Sequence, residues 1–220
     1  MKDLVIIGGG NSGKDIIHIV EAINNKNPEW NLLGVIDEKI EFHNQPYLNT
    51  KYLGGIDWIK NYQKELFVVC GIGNIAARKR LLDLAAENTF VRFPNLIHPS
   101  AEISKHSTLG KGNIVSAFCQ IQPSAIIGNF NFLNLGVHIG HDCKVGDYCA
   151  LNPKVGMYNL SQIGNMCYLA ARSTIIQKAK LEDGVFVAAG TIVNKDVPEG
   201  NTVMGYPCKI FKQNFYSLTR

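Results

Sequence analysis

Residues 139–156 read IGHDCK VGDYCA LNPKVG, three blocks of six residues that each begin with an aliphatic side chain. The same register runs without a miss from Ile97 to Val193, where every sixth residue is aliphatic or Met, giving seventeen hexads. A period of six fits neither a helix nor a simple alternating strand, so it predicts an all-β parallel β-helix of hexapeptide repeats. Three hexads make one triangular coil of eighteen residues, and seventeen predict nearly six coils spaced about 4.8 Å apart.

The residue four places after each aliphatic one forms a second stripe, whose members are all small or narrow. This pattern predicts short strands that each point one large and one small side chain inward. Positions eighteen apart lie above one another, so Asn95, Asn113 and Asn131 are predicted to form a ladder of amides. Several hexads have glycine directly after the aliphatic residue, where we expect the missing Cβ to ease the corner: Gly110, Gly128, Gly140, Gly146 and Gly164.

The composition indicates a soluble protein of one or two domains. The chain has 220 residues, 46% of them hydrophobic, and no apolar run of eighteen residues, so we expect no membrane contact, no targeting segment and a cytoplasmic location. Its six cysteines include no C-x-x-C pair, which favours reduced thiols. The net charge of +4 is spread along the chain and suits a small anionic ligand better than nucleic acid.

Residues 1–94 follow a different pattern, in which strands alternate with helices. Buried strands are predicted at 4–7, 32–36 and 66–70, with a further one within 89–93, and helical spacing follows the first and third of them. Strand, glycine turn and helix in this order are typical of half a Rossmann domain, an α/β unit with a short parallel sheet.

The glycines at 8, 10 and 13 fit the pattern G-x-G-x-x-G between the first strand and the first helix. Such a loop lets backbone N–H groups at a helix N-terminus approach a diphosphate, and the same glycines also suit tight packing of strand on helix. Half a Rossmann domain is too small for a dinucleotide, so we expect one nucleotide diphosphate. The predicted substrate-binding residues are Gly8, Gly10, Asn11, Ser12, Gly13, Asp37 at the end of the second strand, and Gly73 and Asn74 after the third.

Within the repeats, His141 and Asp142 differ from the other polar residues, which are typical of solvated corners. They follow Gly140 at the start of a corner, where strand alternation breaks and Asp142 is expected to hydrogen-bond the imidazole at Nδ1. An imidazole held in this way is a candidate general base near neutral pH.

Three motifs together resemble those of the hexapeptide-repeat sugar acetyltransferases, namely the sialic acid O-acetyltransferases and the bacillosamine-pathway N-acetyltransferases. The motifs are IHPSA at 97–101, IGHDCKVGD at 139–147 and GYPCK at 205–209, and the resemblance covers essentially the whole chain. It implies a homotrimer of left-handed β-helices, acetyl-CoA bound along the solenoid between neighbouring subunits, and a nucleotide sugar held by the N-terminal domain. It also implies that His141 is the base and Asp142 its partner.

We therefore expect a nucleotide-sugar-binding domain at 1–94, an acyltransferase β-helix at 95–210 and a C-terminal tail at 211–220. Two positions depart from the family pattern. Nine residues after the base the family usually has a second histidine, and this chain has Ala150; eighteen residues after the base it usually has a small residue, and this chain has Asn159. Both departures fall where the thioester is expected. The implied acetyl-CoA-binding residues are Ala150, Asn159, Ala171, Ala189, Gly190, Lys195 and Lys209.

These features predict an acetyl-CoA-dependent N-acetyltransferase acting on a nucleotide-linked amino sugar in surface-glycan biosynthesis. The His141 imidazole would take a proton as the amine attacks the thioester directly, without a covalent intermediate. Two alternatives stay open: O-acetylation of a sugar hydroxyl by the same histidine, and a non-catalytic nucleotide-sugar-binding trimer, which Ala150 and Asn159 favour. A metal-dependent β-helix enzyme would need three converging histidines, and His138 and His141 are expected to point in different directions, so we predict no metal.

Overall fold

The computed structural model describes residues 1–39 and 45–212 and divides the chain into two compact units, Met1–Pro99 and Ser100–Arg220. Most of the predicted C-terminal tail at 211–220 lies outside the described residues. Within the described ranges, no helix combines the length and the apolar character needed to span a membrane.

The first unit is an α/β domain. Its strands are β1 (Lys2–Ile7), β2 (Trp30–Ile36), β3 (Pro46–Tyr47), β4 (Thr50–Gly54), β5 (Leu66–Cys70), β6 (Val91–Arg92) and β7 (Leu96–Ile97), and its helices are α1 (Asn11–Lys26), α2 (Asp57–Lys60) and α3 (Ile75–Ala86). One sheet has the strand order β3-β4-β2-β1-β5-β6, in which only β3 and β4 pair antiparallel among the described strands.

The centre of this sheet is β1, whose last four residues are at most 2% exposed. Helix α1 buries Ile16, Ile17, Ile19 and Val20, a spacing that gives one apolar face. The three predicted buried strands are confirmed as β1, β2 and β5, and β6 lies within the predicted segment 89–93. The β3–β4 hairpin and α2 were not predicted, because such short elements leave no periodic pattern.

The second unit is a solenoid of very short strands. These are β8 (Glu102–Ile103), β9 (Thr108–Leu109), β10 (Ile114–Val115), β11 (Gln120–Ile121), β12 (Ile126–Ile127), β13 (Phe132–Leu133), β14 (His138–Ile139), β15 (Lys144–Val145), β16 (Ala150–Leu151), β17 (Gly156–Met157), β18 (Gln162–Ile163), β19 (Tyr168–Leu169), β20 (Thr174–Ile175), β21 (Lys180–Leu181), β22 (Phe186–Val187), β23 (Ile192–Val193), β24 (Thr202–Met204) and β25 (Lys209–Phe211).

The solenoid strands form three faces. The first face contains β10, β13, β16, β19, β22, β24 and β25; the second contains β8, β11, β14, β17, β20 and β23; the third contains β9, β12, β15, β18 and β21. From β8 to β23, pairing along a face is parallel with a step of eighteen residues, as between Ile139 and Met157, which confirms the predicted coil. At the end of the first face, β24 pairs with β22 at a step of sixteen residues and β25 pairs antiparallel with β24. Each corner takes the number of the face before it, so that residues 134–136 lie at the first corner, 140–142 at the second and 146–148 at the third.

The predicted hexad register is confirmed by burial. From Val115 onward the aliphatic or Met residue of every hexad is buried, and so is the small residue four places later, up to Thr191. Ile103 and Leu109, at the start of the coil stack, are only half-buried. The solenoid core is therefore a continuous column in which each large side chain rests on the one eighteen residues away.

The corner glycines act differently from our prediction. The left-handed backbone of each corner lies three places after the aliphatic residue and mostly belongs to other residue types, such as Asp142 (φ 60°) and Tyr148 (φ 58°). At Gly128 and Gly164, an added Cβ would collide with the carboxylate oxygen of an aspartate in the next coil. None of the five predicted corner glycines has a positive φ, so none supplies the left-handed backbone of its corner. They allow the next coil to approach closely, with a side-chain oxygen nearest at Gly110, Gly128 and Gly164 and backbone atoms nearest at Gly140 and Gly146.

Two columns of side-chain oxygens join successive coils. Inside the solenoid, Asn113 Oδ1 accepts a hydrogen bond from the Asn131 N–H (2.9 Å), and Asn131 Oδ1 accepts one from the Cys149 N–H (2.7 Å). The predicted ladder is thus present at these positions, but the amide oxygens bind backbone N–H groups instead of other amides. At the third corner, Asp147 Oδ1 accepts from the Asn129 N–H (2.7 Å) and Asn165 Oδ1 from the Asp147 N–H (2.8 Å).

Candidate active site

His141 and Asp142 occupy the middle of a tight turn at the second corner. The Cys143 N–H donates to the Gly140 carbonyl (3.4 Å), and Asp142 has the positive φ that a type II turn requires at its third position. The Leu160 N–H of the next coil donates to the His141 carbonyl (3.0 Å), which fixes the turn from the other side. The backbone that carries His141 is therefore held rigidly, and both side chains are exposed.

The expected bond between the two side chains is not formed. Among the described residues, neither a hydrogen bond nor an ion pair joins the His141 imidazole to the Asp142 carboxylate. Asp142 has a left-handed backbone (φ 60°), so adjacency in sequence does not bring its side chain to that of His141. The role of Asp142 as the partner of His141 stays a prediction.

A second histidine lies beside His141. His138 is the first residue of β14 and is half-buried. Its ring lies against that of Tyr158, with the ring centroids 5.8 Å apart. Burial, together with the nearness of His141, lowers the pKa of His138 below its ordinary value. The sequence offered no sign of this arrangement, because Tyr158 comes from the following coil.

Asn159 lies one coil beyond His141, at the same corner position. Its Oδ1 atom approaches Gly140 so closely that a Cβ there would come within 3.1 Å of it. In the part of the chain that the structure describes, the backbone N–H groups of His141 and Asn159 make no hydrogen bond. Two backbone donors without a hydrogen bond among the described residues thus lie at the corner that carries the candidate base.

The residues predicted to bind acetyl-CoA fall into separate groups on one chain. Ala171, Ala189 and Gly190 lie at the first corner, where the Gly190 N–H donates to the Ala171 carbonyl (3.0 Å). Asn159 and Lys195 lie at the second corner, across the second face from them. Ala150 lies on the first face and is only 7% exposed, while Lys209 is an exposed residue of β25. One chain therefore does not bring all of these residues together.

In the first unit, the predicted glycines have two distinct environments. A Cβ on Gly13 would collide with the Gly8 carbonyl oxygen, and one on Gly8 would come within 2.7 Å of Ile72, so both positions serve close packing. Gly10 is different, because a Cβ there would meet nothing within 4 Å. Gly10 is the N-cap of α1, and no side chain caps this helix, which leaves Asn11 and Ser12 at an open helix N-terminus.

Asp37 holds the glycine loop in place. Its Oδ2 atom accepts a hydrogen bond from the Gly9 N–H (3.0 Å) and its Oδ1 atom accepts one from the Lys39 N–H (3.1 Å). The Tyr47 hydroxyl donates to the Gly9 carbonyl (2.8 Å), and the Tyr47 ring packs on Tyr52 with centroids 4.7 Å apart. Both tyrosines were missed, because the β3–β4 hairpin that carries them has no sequence signature.

Gly73 and Asn74 lie beside this loop, since β5 pairs with β1 and both strands end at the same edge of the sheet. Asn74 Oδ1 accepts from the Ala77 N–H (2.9 Å) and so caps α3. The structure thus brings the ends of β1, β2 and β5 together with every predicted substrate-binding residue. Among the described residues, no group of three or more His, Cys, Asp or Glu side chains is arranged to hold a metal ion.

Comparison with known proteins gives a family match for the first unit and a curated relative. Residues 3–84 match the family described as the PglD N-terminal domain. UDP-N-acetylbacillosamine N-acetyltransferase of Bacillus subtilis strain 168 is 27% identical over 130 residues, covering 53% of this chain. The match spans about half the length of that relative, 52%.

Solved structures share the fold over almost the whole chain. The acetyltransferase domain of PglB from Neisseria gonorrhoeae FA1090 has a TM-score of 0.87 at 22% identity, covering 96% of this chain and 100% of that domain. PerB from Caulobacter crescentus, solved with CoA and GDP-perosamine, has a TM-score of 0.83 at 25% identity, covering 96% and 98%. The predicted fold, a half-Rossmann unit followed by a left-handed β-helix, and the predicted resemblance to hexapeptide-repeat sugar acetyltransferases are confirmed.

Proposed function

We propose that this chain is an acetyl-CoA-dependent N-acetyltransferase that acts on the amino group of a nucleotide-linked sugar, with His141 as general base. The observation that carries the proposal is the second corner, where an exposed imidazole on a rigid turn lies beside two unused backbone donors. The relatives support it, since three of the curated ones are named N-acetyltransferases and PerB was solved with CoA and GDP-perosamine.

The base has a defined task in this reaction. A sugar amine is mostly protonated at neutral pH, and it attacks a carbonyl only as the neutral amine, after one proton has left to solvent. As the C–N bond forms, the His141 imidazole takes one of the two remaining protons from the nitrogen, and it gives that proton to the CoA thiolate when the C–S bond breaks. The ammonium form and acetyl-CoA thus yield an amide, CoA thiol and the one proton released to solvent, so atoms and charge balance.

The developing oxyanion needs donors close to the base. The Asn159 N–H, which makes no hydrogen bond in the described structure, is the donor that we assign to it. A backbone N–H requires no particular side chain, so the departure from the family's usual small residue at Asn159 leaves this donor in place. The absence of a second histidine at Ala150 is then compatible with turnover.

The buried cysteines agree with direct attack of the amine on the thioester, without an acyl-enzyme intermediate. Burial raises the pKa of the Cys143 thiol, which lies under the turn with its Sγ 3.4 Å from the Tyr158 carbonyl. Burial also raises the pKa of Cys70 and Cys119 to about 11. Such thiols are poor nucleophiles near neutral pH, so no acyl-cysteine intermediate is included.

We assign the nucleotide diphosphate to the open N-terminus of α1. Gly10 leaves the approach clear, and the first N–H groups of the helix provide a positive end suited to an anion. Gly73 and Asn74 border the same edge of the sheet. A panel of substrates tests which nucleotide base and which sugar the site accepts.

We further propose a homotrimer with acetyl-CoA between subunits. The residues implied for acetyl-CoA lie at both edges of the second face on one chain, so a second copy is needed to combine one subunit's first corner with another's second corner. Light scattering is expected to give three times the chain mass of 24.3 kDa. A stable monomer at micromolar concentration would remove the interfacial site.

The deciding experiment is a panel of UDP-, GDP- and dTDP-linked amino sugars with acetyl-CoA, read by CoA thiol release and product mass. Each amino sugar is paired with its hydroxyl analogue. Turnover of an amino sugar alone supports the proposal, and acetyl-ester formation on the hydroxyl analogue would replace it with O-acetylation. If calorimetry shows nucleotide binding but no sugar nucleotide releases thiol from acetyl-CoA, the chain is a non-catalytic nucleotide-sugar-binding protein. We place the reaction in the cytoplasm, as a step of surface-glycan synthesis. The six cysteines are all buried and none forms a disulfide, which is compatible with a reducing compartment.

A further inference from the structure

The ring of Tyr158 fills a gap on the second face of the solenoid. In the outward column of this face, His138 pairs with Gln120 on one side and with Gly156 on the other. Gly156 has no side chain, and the Tyr158 ring lies over it, so that a Cβ at Gly156 would come within 3.4 Å of the ring. From this position the ring meets His138, with an angle of 44° between the two planes.

This contact limits where the His138 imidazole can point. Tyr158 is 49% exposed, so its ring shields one side of His138 while the outer side of the site stays open. The backbone of Tyr158 is itself anchored, because its N–H donates to the Ile175 carbonyl (3.0 Å) and its carbonyl accepts from the Ser161 N–H (3.0 Å). His138 is therefore oriented by a neighbour that the next coil holds in place.

The two histidines act on the same small region. They are three residues apart across the start of one turn, and they are near enough for the charge of one to oppose protonation of the other. The half-burial of His138 acts in the same direction. His138 is thus a hydrogen-bond acceptor near neutral pH, next to the residue assigned as base.

We propose that His138 is a second acceptor for the substrate amine and that Tyr158 is the positioning residue that orients it. The inference rests on the proposed function, since it names the group that holds the amine while His141 takes its proton. An attacking amine has a lone pair and two hydrogens. One hydrogen leaves to His141, and the other needs an acceptor that keeps the lone pair aimed at the thioester carbonyl. A sugar hydroxyl has a single hydrogen, so a second acceptor gives it no advantage.

The solenoid supplies matched substitutions for a test. The outward column that contains His138 holds Gln120 and Ile192 at equivalent positions, so His138→Gln and His138→Ile both introduce side chains that this column already accommodates. Gln retains an acceptor oxygen, and Ile does not. His106→Gln, an exposed histidine at the second corner two coils away, is the control for loss of an imidazole elsewhere.

We expect His138→Ile to lower kcat/KM for the amino sugar by about 10- to 100-fold, the range for a hydrogen bond involving a group that carries charge. The KM for acetyl-CoA should not change, and His138→Gln should recover at least half of the lost activity on a logarithmic scale. Tyr158→Phe should retain the wild-type rate, because the ring is kept, whereas Tyr158→Ala should lower kcat severalfold. The control His106→Gln should behave as wild type.

Two results separate this inference from the proposed function. If no amino sugar yields CoA thiol with the wild-type chain, both are overturned. If the wild type is active and His141→Ala is not, but His138→Ile is as active as wild type, only the role of His138 is overturned. Equal losses in the Ile and Gln variants would likewise overturn it, because they would show that the imidazole matters for something other than accepting a hydrogen bond.

Discussion

The second and third corners of the solenoid share one turn geometry but use their backbone donors differently. At the third corner, the N–H groups of Asn129 and Asp147 donate to side-chain oxygens of the next coil. At the second corner, the N–H groups of His141 and Asn159 have no such partner among the described residues. The third corner therefore joins coils through side-chain oxygens, and the second does not do so at these two positions. On the proposed function, the site lies where these repeating hydrogen bonds are interrupted.

The largest effect should come from removing the base at the second corner. His141→Ala should lower kcat by about 10²- to 10⁴-fold, the usual contribution of general acid–base catalysis. The melting temperature should stay within about 2 °C of wild type, since an exposed side chain contributes little to stability. Steady-state thiol release and calorimetric melting measure the two quantities on one preparation.

The control for this change is His106→Gln, which should alter neither quantity. Retention of more than about a tenth of the wild-type rate in His141→Ala would exclude the assigned base. Asp142→Asn should do less harm than His141→Ala, because no bond from Asp142 to the imidazole is present in the free protein.

The matching change at the third corner should have the opposite profile. Asp147 Oδ1 accepts from both the backbone N–H and the side-chain amide of Asn129, so Asp147→Ala leaves two donors without their partner. We expect a loss of about 1–3 kcal/mol in the free energy of unfolding, with kcat unchanged at a temperature where the variant is folded. Denaturant melts and thiol release provide the readouts.

A fall in kcat of tenfold or more in folded Asp147→Ala would contradict the division between the two corners. Asp147→Asn is the companion variant, because asparagine keeps an acceptor oxygen for the Asn129 N–H, already occupies the equivalent positions 129 and 165, and should preserve most of the stability. The pair of variants therefore separates loss of the hydrogen bond from any change of charge at this corner.

The sequence predicted the solenoid almost completely, because one short-range rule repeats in every hexad. A single inward stripe of large residues and one of small residues determine the coil, and both were visible without the structure. The role of these glycines could not be predicted, since at Gly128 it depends on the carboxylate of Asp147, nineteen residues later, which approaches only after the coils stack. A local sequence pattern predicts each strand, whereas a contact between coils can be predicted only once it is known which residues of two coils lie against each other.

The candidate site shows the same limit of local patterns. His141 and the glycine loop lie in short motifs, so sequence alone pointed to them. His138 and Tyr158 are twenty residues apart, and Tyr47 approaches Gly9 from thirty-eight residues away in a hairpin with no pattern of its own. The expected bond from Asp142 to His141 was not formed, because a left-handed backbone at Asp142 directs neighbouring residues differently from a strand.

The first unit shows a similar contrast between a closely packed backbone position and an open one. Gly13 is closely packed against the Gly8 carbonyl, whereas Gly10 faces open space at the N-terminus of α1. Gly10→Val should raise the KM for the sugar nucleotide roughly five- to thirty-fold, equivalent to about 1–2 kcal/mol for an anion at a helix N-terminus, with the acetyl-CoA KM unchanged. Gly13→Val should instead destabilise the fold. A rise in the acetyl-CoA KM of Gly10→Val would reassign this loop.

The smallest effect is expected at Ala150, the position of the histidine that related enzymes usually have. Ala150 lies on the first face between Phe132 and Tyr168, and Tyr168 stacks on Phe186 at 5.3 Å, so an aromatic side chain extends an existing column. If the donors of the second corner already serve the oxyanion, Ala150→His should change kcat and the acetyl-CoA KM by less than about fivefold, or about 1 kcal/mol. Ala150→Phe is the matched control, because it adds a ring without a donor. A rise in kcat of tenfold or more in the His variant alone would mean that the natural site lacks a donor it needs, and that the open N–H groups of the second corner are insufficient.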